Sequence, residues 1–166
     1  SSSEILELLK VRDKHAATVF HSIYLFEITD IRKLLRKRGK QKIVSHCTET
    51  LHYLLEFVKH VDSTSNSEEL CEILNAQDNE GKTVLHYASK LGLEPVQVVL
   101  ESFKLGCPEK LKLLKHQDKH GATSFHSVFE NTEEHQLGRR REKRQTAVNC
   151  KPKETVAYLL KSVECV

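Results

Sequence analysis

A nine-residue pattern, Asp-x-x-(Gly/Ala)-x-Thr-x-(Phe/Leu)-His, occurs three times in this chain: at Asp13–His21, Asp78–His86 and Asp118–His126. The outer copies are nearly the same peptide, Asp13-Lys14-His15-Ala16-Ala17-Thr18-Val19-Phe20-His21-Ser22 against Asp118-Lys119-His120-Gly121-Ala122-Thr123-Ser124-Phe125-His126-Ser127. A chain that repeats itself is built from copies of one supersecondary unit, and such a unit buries its apolar side only against its neighbours. The pattern therefore predicts a stack.

The middle copy is the clearest. Gly81 marks a tight turn, Thr83 is placed to cap a short helix with Leu85 and Ala88 inward, and Gly92 ends that helix. Pro95 is expected to start a second helix, on which Val96, Val99, Leu100 and Phe103 form one apolar stripe. Each copy is preceded by a leucine-rich turn of helix, ending Leu8-Leu9, Ile73-Leu74 and Leu113-Leu114, four residues before its Asp. Ser67 and Pro108 are placed to begin the second and third of these lead-in helices.

The three Asp residues are spaced by 65 and 40 residues, so material has been added between copies. In the first unit the excess is residues 29–42, rich in Arg and Lys, followed by a long helix with Ile43, Val44, Cys47, Leu51, Leu54, Leu55, Val58 and Val61 on one face. In the third unit the first helix is expected to end near Glu130-Asn131. Residues 132–151 then form a basic loop before Pro152 opens the last helix, whose inward residues are Val156, Ala157, Leu159, Leu160 and Val163. The expected organisation is one domain, residues 1–166, with repeats at about 4–62, 67–105 and 108–166.

These residues resemble ankyrin repeats across nearly the whole chain. The Thr-Pro-Leu-His tetrapeptide of that family corresponds to Thr18-Val19-Phe20-His21, Thr83-Val84-Leu85-His86 and Thr123-Ser124-Phe125-His126, with Pro replaced each time. The resemblance implies an all-α solenoid of about three helix pairs with hairpin or turn links and extra lead-in helices. In it, the pairs Thr18 and His21, Thr83 and His86, and Thr123 and His126 tie successive repeats together. Ala16 stands where the other turns have Gly, which distorts the first turn if that position needs positive φ. The resemblance also implies a protein-protein interaction module or scaffold and no enzyme. Its partner-binding positions map to Lys14, His15, Ala17, Asn79, Glu80, Lys82, Lys90, Lys119, His120 and Ala122.

The formal net charge is only +3, so electrostatic recognition depends on clustering. Arg32, Lys33, Arg36, Lys37 and Arg38 in one insertion and Arg139, Arg140, Arg141, Lys143 and Arg144 in the other make a basic edge. That edge carries the alternative reading, a module that binds nucleic acid or an anionic membrane surface. Neither cluster is interleaved with the aromatic residues that stack on bases, which favours a merely solvated cationic surface over a polyanion site. His52, Glu56 and His60 share a helical face, but no further ligand is evident and no metal is expected. There is no glycine-rich phosphate loop, nucleophile elbow or paired-carboxylate site, so neither a cofactor nor a small-molecule substrate is expected. Five widely spaced cysteines without a C-x-x-C pair, and a start unlike a signal peptide, fit an intracellular, reducing compartment. The apolar face of the last helix offers a third reading, a structural dimer.

Overall fold

The computed structural model describes residues 2–26, 49–54, 56, 67–101, 107–137 and 151–164. These residues are helical with connecting turns, and no strand occurs among them. The helices are α1 (Ser2–Lys10), α2 (19–26), α3 (49–54), α4 (Ser67–Asn75), α5 (Val84–Leu91), α6 (Leu93–Glu101), α7 (Cys107–Lys115), α8 (Ser124–Leu137) and α9 (Pro152–Lys161).

Three of them, α1, α4 and α7, are the leucine-rich lead-ins, and α4 packs against both of the others. After each comes a turn and then the helix opened by the repeated Thr. In the second and third units these helices, α5 and α8, lie against one another, while α6 contacts α5 and α9 and α9 also touches α8. One apolar cluster runs through all these layers, including Leu6, Phe20, Leu51, Leu74, Leu85, Leu100, Leu113 and Leu159. Full burial of side chains of this size is worth about 2 kcal/mol each, so residues scattered along the sequence hold the layers together.

Helix α5 lies at the centre, and its composition says so. Every residue from Val84 to Leu91 except Lys90 is buried. A helix apolar on most of its circumference needs neighbours on several sides. It is bounded by Thr83, whose backbone is extended (φ −90°, ψ 169°), and by Gly92 at φ 129°, a conformation L side chains rarely adopt. The Gly92 N–H closes the helix on the Ala88 carbonyl at 3.1 Å.

Several expected boundaries shift. Helix α6 begins at Leu93 and not at Pro95, which falls in its first turn, where a missing N–H costs no intrahelical bond. Helix α8 continues to Leu137 where a basic loop was expected from residue 132. Its extension contains Glu133, Glu134 and Gln136, good helix formers, and nothing breaks the run before Gly138. In α9, Thr155 and Leu159 are buried and Val156 and Val163 pack partly, but Ala157 and Leu160 face solvent. The inward stripe is therefore narrower than expected, because among the described residues α9 packs chiefly against α6 and α8.

Candidate functional site

The three Asp residues build three turns of the same design. In each, the Asp N–H donates to the carbonyl four residues on, at 3.0 Å for Asp13 to Ala17, 3.0 Å for Asp78 to Lys82 and 2.8 Å for Asp118 to Ala122. One carboxylate oxygen, Oδ1, accepts the backbone N–H groups two and four residues later: His15 and Ala17, Glu80 and Lys82, His120 and Ala122, all at 2.8–2.9 Å. A short acceptor that bonds its own following backbone is the reason Asp recurs there. At Asp13 the Ala17 N–H bond is the main influence holding the carboxyl below its ordinary range. Burial pushes the Asp118 carboxyl up, but the N–H groups of Ala122 and His120 and the charge of Lys82 more than compensate, leaving it lowered.

The turns are joined to each other by backbone bonds. The Asn79 N–H donates to the His15 carbonyl at 2.8 Å, and the Lys119 N–H donates to the Glu80 carbonyl at 2.9 Å. Side chains add to the ladder: Gln77 Nε2 donates to the Gln117 carbonyl at 3.0 Å and Arg12 to the Gln77 carbonyl at 3.2 Å. Gly81 sits at φ 75° and Gly121 at φ 76°. Ala16 adopts φ 58° at the equivalent position, so the first turn keeps its shape and carries strain instead of being distorted.

Below the turns, the Thr and His side chains lock one unit to the next. The Thr18 N–H donates to His21 Nδ1 at 3.2 Å, and Thr18 Oγ1 is 2.8 Å from the same nitrogen. Because Nδ1 accepts, the ring proton is on Nε2, which donates to the Lys82 carbonyl of the second unit at 3.1 Å. Thr83 and His86 repeat this geometry, with His86 Nε2 at 3.2 Å from the Ala122 carbonyl of the third unit. Burial pushes both rings below their ordinary pKa, which keeps them neutral. Thr123 and His126 make the same local bonds, but His126 is exposed and its Nε2 meets no acceptor among the described residues.

Of the expected contact residues, Lys14, His15, Asn79, Glu80, Lys119 and His120 are exposed and form a row across the three turns. Lys119 Nζ lies 4.0 Å from Glu80 Oε1 within that row. Ala122 is half-buried and Ala17 is buried, its methyl turned into the unit, so Ala17 offers no surface to a partner. Lys82 and Lys90 are half-buried in an ion network centred on Glu130: Lys90 Nζ is 2.8 Å and Lys82 Nζ 3.3 Å from its carboxylate, while Ser127 Oγ donates to it at 3.2 Å. Burial raises the Glu130 carboxyl and the bond from Lys90 overcomes it, so the net effect is to hold that carboxyl below its usual value. Lys82 Nζ is also 3.8 Å from Asp118 Oδ2.

Glu130 and Tyr87 are the two members of this surface that sequence reasoning did not single out. Tyr87 Oη donates to Asp78 Oδ2 at 2.5 Å, and its ring meets His21 edge-on. Burial, then the Asp78 carboxylate, raise the phenol far above its ordinary value, so it stays a donor. No local signal marked Glu130, because its cationic partners are 48 and 40 residues away.

The whole basic edge, Arg32, Lys33, Arg36, Lys37, Arg38, Arg139, Arg140, Arg141, Lys143 and Arg144, lies outside the described residues, as does His60. Among the described residues no group of three or more His, Cys, Asp or Glu is arranged to hold a metal ion, and no helix is long and apolar enough to cross a membrane. Comparison of the chain with protein-family models, with curated proteins and with solved structures gives no match.

Proposed function

We propose that the chain is an ankyrin-type repeat module that binds another protein through the row of turn tips and the neighbouring surface of its first helices. The observation that carries this reading is the rigid presentation of six exposed polar side chains, Lys14, His15, Asn79, Glu80, Lys119 and His120, on turns closed by backbone bonds within each unit and joined by backbone bonds between units. A surface fixed before contact loses little conformational freedom on binding, which suits recognition. The middle tip, Asn79-Glu80, differs from the two Lys-His tips while the Asp, Thr and His beneath them do not change, so support and contact are separate sets of residues.

The mixture of cationic, anionic and neutral groups on the tips fits a polar protein surface better than a uniform polyanion. The test is capture from cell lysate by the 166-residue chain, at low and high salt, against a variant with Glu80→Lys and Lys119→Glu. A discrete protein retained by the chain at both salt concentrations and lost with the variant supports the reading. Capture that vanishes with salt and is indifferent to these substitutions refutes it and assigns binding to the basic insertions.

A further inference from the structure

We infer that the two ends of the stack are complementary docking faces, and that a second copy of this chain occupies them head to tail, the third unit of one copy receiving the first unit of the next. Equivalent positions in the three units reveal the faces. Five residues before the Asp, Leu8 is 70% exposed, whereas Ile73 and Leu113 are buried. One residue after the Thr, Val19 is partly exposed, whereas Val84 and Ser124 are buried. At the internal joints these positions face the preceding unit, and at the first unit no described residue covers them. Seven residues before the Asp the order reverses: Leu6 is buried, Cys71 half-buried and Leu111 41% exposed. Three residues after the His, Tyr24 and Ser89 are buried and Phe129 is 50% exposed.

Polar atoms follow the same rule. At both internal joints a turn carbonyl accepts an N–H from the next turn, and a His Nε2–H donates to the carbonyl before the next Thr. At the third unit the corresponding His120 carbonyl and His126 Nε2 meet no such partner among the described residues. At the first unit the complementary pair, the Lys14 N–H and the second lone pair of the Ala17 carbonyl, has no such partner among the described residues. The outer face of one copy therefore lacks what the inner face of another supplies.

Charge adds a third correspondence. Lys10 Nζ of the first unit lies 3.5 Å from Glu72 of the second. Carried on by one step, Lys115 of the third unit stands opposite Glu7 of the next copy, both exposed. At the tips the correspondence lapses, since Glu80 opposite Lys119 becomes His120 opposite Lys14, with no carboxylate. Leu8, Leu111 and Phe129 are not among the partner-binding residues, so docking of copies does not depend on the partner-binding reading. Such a contact joins two different faces, so it predicts oligomers beyond the dimer, a ring where the rotation between copies closes and an open filament where it does not.

Sedimentation of the 166-residue chain over a range of concentrations tests this, with Leu8→Glu blocking the head and Leu111→Glu with Phe129→Glu blocking the tail. All three sites are exposed, and circular dichroism verifies that each variant is folded. Expected are concentration-dependent oligomers for the unaltered chain, monomers for each variant alone, and a species of twice the monomer mass, with nothing larger, in an equimolar mixture of the two. Should the tail variant unfold, Lys115→Glu takes its place, expected to weaken association and to be rescued by Glu7→Lys in the same chain. His120→Glu, which recreates the Glu80 to Lys119 pairing across copies, should tighten association by up to about fivefold. A strict monomer at the highest soluble concentration overturns the inference. So does a head-blocked variant that still dimerises, since that contact would be tail to tail.

Discussion

The three turns offer an internal experiment on glycine, because the same backbone position is Ala16, Gly81 and Gly121, all at positive φ. An alanine held in the left-handed region costs about 1–2 kcal/mol, and replacing Gly by Ala recovers about 0.4–1 kcal/mol from the unfolded chain. Gly121→Ala should therefore destabilise by about 0.5–1 kcal/mol, since a Cβ there meets nothing within 4 Å. Gly81→Ala adds a packing cost: its Cβ would stand 3.0 Å from the Lys119 nitrogen and 3.1 Å from the Asp118 Cα, both backbone atoms of the next turn. Moving that turn strains the 2.9 Å bond from Lys119 to the Glu80 carbonyl, so a total of about 1–2 kcal/mol is expected. Ala16→Gly reverses the first term and should stabilise by about 0.5–1 kcal/mol. Urea unfolding of the three variants, followed by far-ultraviolet circular dichroism at a concentration where the chain is monomeric, measures all three. The reasoning is refuted if Gly121→Ala costs as much as Gly81→Ala, or if Ala16→Gly destabilises.

Acid should weaken the fold through His21 and His86. Both have folded-state pKa values below 6.5, so below that pH the unfolded chain binds protons that the native chain refuses, and stability falls as pH drops, by at most about 1.4 kcal/mol per unit for each ring. Denaturation midpoints at pH 7.5 and 5.5 would check this, and equal values would contradict it. The hydroxyls of Ser89 and Ser124 are buried without a hydrogen-bond partner among the described residues, so Ser124→Val, which copies Val84, should stabilise by about 1 kcal/mol in thermal unfolding. Glu130→Ala leaves Lys82 and Lys90 half-buried without their shared carboxylate and should cost about 1–3 kcal/mol, with Glu130→Gln losing less.

What the sequence made legible was the part whose physics is local. An Asp that bonds its own backbone, a Thr that starts a helix and a His three residues on act within one turn, so a nine-residue pattern announces them before any neighbour is known. The lead-in helices are visible for the same reason, each being a short leucine-rich run. What was not legible depends on stacking. Glu130 looks like any helical acid until Lys82 and Lys90 are brought beside it from another unit. Ala17 belongs to a turn and so looks available, but it follows the bonded core of that turn and is buried. The end of α8 was misplaced because Thr132 to Gln136 is polar, and polarity separates a helix from a loop poorly when no glycine or proline intervenes.

The same distinction explains how such a chain can vary its surface without losing its fold. Asp13, Asp78 and Asp118 bond backbone N–H groups, and those bonds are indifferent to the side chains at the two following residues, which are the tips. The histidines likewise bond the carbonyl of whichever residue stands before the next Thr, Lys82 at one joint and Ala122 at the other. Because each joint is made from main-chain atoms on the receiving side, its geometry survives substitution at the surface. The tip residues are thus free to vary, while the Thr and His pairs that carry them are set by the stack.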